Sequence, residues 1–198
     1  LIAYDTLSGA NTLFKLDNTG LIQWKEDVKE LTAHSIEQTS DSGYVLTGTA
    51  DNMFKADEHI CIVRTNPLGD TLWTCQPFPL CFPDHQEGSG RDIDQTNDGN
   101  YIVAGSYYRL NTSIPNTHAL LTKINNSGDT IWTKKYLFDD ITSAYSVVEN
   151  TLGNFVFAGY KKDSIPLTWS SDWCKELLIV ETDPQGNVIW VKTYQTGF

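Results

Sequence analysis

Positive charge is scarce in this chain. Its 198 residues carry 14 Lys and Arg against 25 Asp and Glu, a net charge of −11. A nucleic-acid groove needs clustered Lys and Arg to neutralise phosphates, so the balance argues against nucleic acid as a partner. Long apolar runs are also missing. None approaches the ~18 residues of a membrane span, and no span is expected. No basic-then-apolar segment opens the chain, and Leu1 is not an initiator Met. The N-terminus is therefore expected to be processed, or the chain to be a piece of something longer. There is no Gly-rich phosphate loop, no HExxH and no nucleophile elbow. The carboxylate pair Asp139-Asp140 consists of neighbours, which point apart on an extended chain. No complete Asp-x-Asp-x-Asp-Gly calcium loop occurs. The sequence thus offers no catalytic residue, cofactor or metal site. What it does have is a foldable composition, 40% hydrophobic and 12% aromatic, unlike that of a disordered chain.

The dominant positive feature is an internal repeat. Trp24, Trp73, Trp132 and Trp190 each follow a glycine by four residues (Gly20, Gly69, Gly128, Gly186). Each glycine follows Asp or Asn by three (Asp17, Asn66, Asn125, Asp183). The copies read DNTGLIQW, NPLGDTLW, NNSGDTIW and DPQGNVIW. A second unit recurs three times: AHSIEQTSDSGYVLTGT from Ala33, GRDIDQTNDGNYIVAGS from Gly90 and AYSVVENTLGNFVFAGY from Ala144. The two units alternate, and a period of this length marks a repeat architecture.

Asx-x-x-Gly between two apolar runs is a tight hairpin, because the Asx side chain bonds the backbone and glycine accepts positive φ. The flanking runs are short and rich in β-branched and aromatic residues, so they read as strands. The second unit is another hairpin, turning at SDSG, NDGN and their equivalent. Gly48, Gly105 and Gly159 close its second strand and mark a close backbone approach or a bend. Lys25–Gln38 looks helical by propensity alone, but its aligned copies TCQPFPLC and TKKYLFDDITS do not, and the repeat overrides propensity.

Each repeat is thus four antiparallel strands. The expected fold is all-β, a β-propeller of four-stranded antiparallel blades with about three and a half blades present, part of a larger ring. Residues 1–27 form a partial blade, and 33–76, 90–137 and 144–195 form three more. The chain opens mid-blade and stops where another first strand is due, so remaining blades of the same protein are expected partners. Trp24, Trp73, Trp132 and Trp190 are expected to pack between neighbouring blades, each large ring filling the wedge between two twisted sheets.

The pattern K-x-D/N-x-x-G-x-x-x-W followed by A-x-S-I-x-Q-T-x-D-G-x-Y-V-x-A-G resembles the secreted β-propeller repeats of Bacteroidetes. That resemblance covers nearly the whole chain and implies a secreted or surface protein, exported by the type IX secretion system in many relatives. Lys15 and Lys123 match its lysine, whereas Arg64 and Glu181 replace it. Asp followed by Ser or Thr and an aliphatic residue resembles the O-glycosylation acceptor of the same group, which makes Thr6, Thr71, Thr130 and Ser164 candidate acceptors. Around Thr71 and Thr130 the same residues also serve as hairpin chemistry. Sequons at Asn111 and Asn125 matter only in a eukaryotic secretory context.

Cys75 and Cys81 flank a Pro-rich insertion, and a disulfide between them would stiffen it. Cys61 lies within a strand and reads as a buried thiol. Cys174 lies in the insertion 161–176, and pairing it with Cys61 would need non-adjacent blades to meet.

Repeat-equivalent positions are the fairest place to look for a ligand. His34, Arg91 and Tyr145 align in the first strands, which line a propeller's channel, and are candidate ligand contacts. Scaffold roles are commoner for such positions. Glu37, Asp94 and Val148 also align, and two carboxylates in neighbouring blades suit a cation, though the third position is apolar. Trp169 and Trp173 lie outside the repeat, where an exposed indole stacks on a sugar or a protein partner or else packs on its own blade. Asp84, His85 and Glu87 lack firm metal spacing. The expected function is an extracellular or cell-surface binding and scaffold module for protein or glycan partners. The alternatives are a carbohydrate-active enzyme using the channel face and a structural subunit of a surface assembly with no small ligand.

Overall fold

The computed structural model describes residues 2–4, 11–28, 31–51, 58–77, 86–109, 116–138, 141–162 and 175–195. These residues form strands and turns and no helix. The first sheet contains β1 (Ile2–Tyr4), β2 (Asn11–Leu16) and β3 (Ile22–Val28). The second contains β4 (Thr32–Gln38), β5 (Tyr44–Asp51), β6 (Glu58–Thr65) and β7 (Thr71–Cys75). The third contains β8 (Gln86–Gln95), β9 (Tyr101–Arg109), β10 (Asn116–Ile124) and β11 (Thr130–Tyr136). The fourth contains β12 (Ile141–Glu149), β13 (Phe155–Lys162), β14 (Lys175–Thr182) and β15 (Val188–Gln195). Each sheet is an antiparallel meander in chain order. The Lys25–Gln38 stretch is strand in β3 and β4, so tertiary pairing outweighs its helical propensity.

Local chemistry sets the hairpins. At every outer turn the Asx carboxyl or amide oxygen accepts two backbone N–H bonds, as Asn125 Oδ1 does from Ser127 (3.0 Å) and Asp129 (2.8 Å). The following glycine adopts positive φ, 90° at Gly128, a region that costs a side-chain-bearing residue about 1 kcal/mol or more. In the inner turns that position is Gly99 and Gly153, but in the second sheet it is Ser42, at φ 70°.

Among the described residues, no sheet has a core of its own. Alternation gives each sheet two apolar faces, and each of the three cores lies between consecutive sheets. One joins Leu13 and Trp24 to Tyr44, Leu46, Cys61 and Val63. The next joins Val45, Ile60, Ile62 and Trp73 to Tyr101, Val103, Leu120 and Ile124. The third joins Ile102, Ala119, Leu121 and Trp132 to Phe155, Phe157, Leu178 and Val180. The tryptophan of one sheet meets the first aromatic of the next sheet's second strand. Ring centres are 5.8 Å apart for Trp24 and Tyr44, 6.1 Å for Trp73 and Tyr101, and 6.0 Å for Trp132 and Phe155.

A cation beside each of these three tryptophans makes the same crossing. Lys15 Nζ donates to Tyr44 Oη (2.6 Å) and Arg64 Nε to Tyr101 Oη (2.9 Å), while Lys123 Nζ stands 5.4 Å from the Phe155 ring centre. Within their own sheets, Arg64 also pairs with Asp41 (2.5 and 2.6 Å) and Lys123 with Asp98 (2.7 Å). Burial works against ionisation of Asp98, yet hydrogen bonds from Lys123, Thr96 and Asn100 hold its carboxyl well below the usual range.

Candidate functional site

The first strands β4, β8 and β12 of consecutive sheets lie side by side, and each is bulged at one point. Pairing runs Ala33↔Gly48 then Ser35↔Thr47, Gly90↔Gly105 then Asp92↔Ala104, and Ala144↔Gly159 then Ser146↔Ala158. The skipped residues are His34, Arg91 and Tyr145. A bulge residue has no ladder partner and is turned out of the regular alternation. The glycine opposite each bulge is demanded by the kink. A methyl group would stand 1.9 Å from the Thr32 carbonyl oxygen at Gly48, 2.2 Å from that of Ser89 at Gly105 and 1.8 Å from that of Ser143 at Gly159.

The three bulge residues form a connected row. His34 Nδ1 lies 2.7 Å from the Gly90 carbonyl, which makes that nitrogen the protonated donor. The Arg91 guanidinium carbon stands 5.8 Å from the Tyr145 ring centre. Among the described residues, its buried Nε has no hydrogen-bond partner. Tyr145 packs at 5.6 Å on Tyr160, and burial of Tyr160, then the nearby Tyr145, raise the Tyr160 phenol. Tyr145 is nonetheless 49% exposed. The row thus offers an imidazole, a guanidinium and an accessible aromatic face.

Next to the row runs a carboxylate ladder. Glu37 Oε2 accepts from Gln95 N (2.8 Å), and its equivalent Asp94 Oδ2 accepts from Glu149 N (3.4 Å). Asp92 bridges both neighbours, accepting from Ser35 Oγ (2.9 Å) and Val147 N (3.0 Å). In the opposite direction, Gln95 Oε1 accepts from Ser40 N (2.8 Å) and Glu149 Oε2 from Asn97 N (2.6 Å). The aligned carboxylates of β4 and β8 are therefore spent on the next strand's backbone. Among the described residues, no group of three or more His, Cys, Asp or Glu is placed to hold a metal.

Burial, and then the proximity of Asp94 and Asp92, push the Glu37 carboxyl up to about 7, against the lowering effect of the Gln95 N–H. The folded chain therefore holds a proton that the unfolded chain releases above its ordinary pKa of 4.5. This contribution to stability is greatest at or below that pKa and falls as pH rises through about 7. Glu37 is half-exposed, so solvent screening limits the effect to about 1 kcal/mol. Glu37→Gln, which keeps the acceptor, is expected to flatten that part of the profile. Urea unfolding of both proteins at the two ends of the window checks it; identical slopes would refute it.

The remaining candidate residues lie apart from the row. Thr71 and Thr130 are exposed at the starts of β7 and β11. Cys75 is half-buried; burial and then Asp129 raise its thiol pKa, which makes it a poor nucleophile. Trp190 is half-buried and donates its indole N–H to Glu181. Thr6, Ser164, Trp169, Trp173, Cys81 and Cys174, together with Asp84 and His85, lie outside the described residues. Glu87 is buried in β8. It stands beside Tyr108, whose hydroxyl donates to Glu58 (2.9 Å). Burial and then the two carboxylates push that phenol far above its ordinary range. Among the described residues, no helix is long and apolar enough to cross a membrane.

The fold and site together define an all-β repeat protein, in which tandem antiparallel sheets hold a row of bulged side chains. No protein-family model matches the chain, and no curated protein is significantly similar to it.

Proposed function

We propose that the consecutive sheets are blades of a β-propeller, and that the chain serves as an extracellular or cell-surface binding and scaffold module for protein or glycan partners. The observation that carries this reading is the thrice-repeated sheet-on-sheet interface, with first strands gathered side by side and one bulge residue per first strand. Sheets stacked this way fan about an axis near their first strands. Bulges then aim His34, Arg91 and Tyr145 from a rigid frame, so a partner loses little of its affinity to ordering the protein. An exposed Tyr145 face beside a guanidinium suits stacking on a sugar ring or an aromatic side chain. Placement outside the cell rests on the resemblance of the repeat pattern to secreted Bacteroidetes propeller repeats and on the exposure of the candidate acceptors Thr71 and Thr130.

Screening the chain against glycan and surface-protein panels tests the reading. Tyr145→Ala is expected to weaken the best partner by at least tenfold, about 1.4 kcal/mol, with the thermal midpoint unchanged. Binding that ignores substitution of both Tyr145 and His34 would remove the bulge row as the site. A chain that binds nothing but assembles into larger complexes would favour the structural-subunit reading.

A further inference from the structure

The face that each sheet turns toward its successor is built from equivalent residues, so its fate can be followed along the chain. Ile60 in the second sheet and Ala119 in the third are 1% and 0% exposed, but the equivalent Leu177 in the fourth is 40% exposed. Val45 and Ile102 are fully buried, whereas Val156 is only partly so; the same holds for Ile62 and Leu121 against Ile179. Tyr136 is buried and donates its hydroxyl to the Gly186 carbonyl of the next sheet's turn (3.0 Å), but its equivalent Tyr194 is 49% exposed. A methyl group on the next turn's glycine would press on the preceding tryptophan, at 2.8 Å for Gly69 on Trp24 and 3.1 Å for Gly128 on Trp73. Among the described residues, Trp190 meets Glu181 and Lys192 of its own sheet. The fourth sheet thus presents a complete successor-facing surface that no described residue covers.

We propose that this surface docks one further four-stranded repeat of the same kind, with an Asx-x-x-Gly turn seated under Trp190 and a tyrosine hydroxyl donated to Glu181. The tyrosine follows from charge. Where the other three sheets carry Lys15, Arg64 and Lys123, the fourth carries Glu181. Its Oε1 accepts from Asn150 (3.0 Å) and Asn154 (2.8 Å), and its Oε2 from the Trp190 indole. Covering that carboxylate with a phenylalanine would strip water from an acceptor with capacity to spare, whereas a tyrosine brings the donor.

A second copy of the chain fits less well. Its first sheet offers the Gly20 turn, with nothing within 4 Å of where a methyl would be. But β1 begins opposite Leu13, and no described residue stands opposite Leu16, where the other sheets place Tyr44, Tyr101 and Phe155. The proposal is independent of what the bulge row binds.

The test extends the full 198-residue chain at its C-terminus with a copy of residues 31–77, and separately with a copy of residues 86–138. Tryptophan is replaced by 5-fluorotryptophan, and Trp190→Phe assigns the 19F resonance. Both extensions are expected to shift the Trp190 resonance and remove its solvent-isotope effect. Gly69→Val within the first appended copy is expected to abolish the shift. Tyr44→Phe within that copy is expected to lower the docked population relative to the open one about tenfold. Trp190→Ala in the unextended chain is expected to move the urea midpoint far less than Trp73→Ala does. A Trp190 resonance that stays exposed with both extensions overturns the proposal. So does concentration-dependent protection of Trp190 in the unextended chain, which would assign the face to a second copy.

Discussion

Gly159→Ala is expected to prevent the fourth sheet from forming. The new β-carbon would lie 1.8 Å from the Ser143 carbonyl oxygen and 2.8 Å from its carbon. Both atoms belong to the bulged strand, not to the tip of a flexible side chain, so relief means unpairing β12 from β13. That forfeits the ladder and the core around Ala144, Val147, Phe155 and Phe157. The cost is expected to exceed about 4 kcal/mol, a size confined to substitutions that break the backbone or core. Gly20→Ala is the control: it introduces strain at φ 86° but no clash, and about 1 kcal/mol is expected. Circular dichroism and urea unfolding of the two variants separate the cases, and equal losses would mean that the bulge can relax.

Trp73→Ala is expected to cost about 3 kcal/mol, the lower end of the range for deleting a large aromatic, because the ring is half-buried. It removes the ring packed on Tyr101 and over Gly128, and the indole N–H donated to the Asn126 carbonyl (3.0 Å). The equivalent Trp190→Ala is expected to cost under about 1 kcal/mol, since among the described residues its ring joins no pair of sheets. Tryptophans at equivalent positions of the repeat are thus expected to split by place in the array. Equal urea midpoints for the two variants would show that the rings act within sheets instead of between them.

The all-β class and the hairpins were legible because Asx-x-x-Gly turns and β-branched runs are local signals. The bulges were not. His34, Arg91 and Tyr145 read as ordinary strand residues, and the glycines opposite them signalled only a bend or close approach. Recognising that each glycine faces an extra residue needs the pairing register, which belongs to two strands and not to one. The carboxylate ladder was illegible for a related reason. Glu37 and Asp94 looked like a cation pair by alignment, but their partners are N–H groups of the adjacent sheet's strand, more than fifty residues away. Strand starts were also read late. β8 begins at Gln86, before the repeat becomes recognisable at Gly90, because QEGS carries no alternation of its own.

The placement of all three cores between sheets has an evolutionary consequence. The pairs Lys15–Tyr44, Arg64–Tyr101 and Lys123–Phe155 each straddle two repeats, so substitutions are selected in couples whose members belong to different units. A duplicated or deleted repeat must therefore suit two strangers at once, one on each flank. Arrays of this kind are expected to grow by copying runs of neighbours, and Glu181, which stands where the other three sheets carry Lys15, Arg64 and Lys123, asks for a different neighbour from theirs.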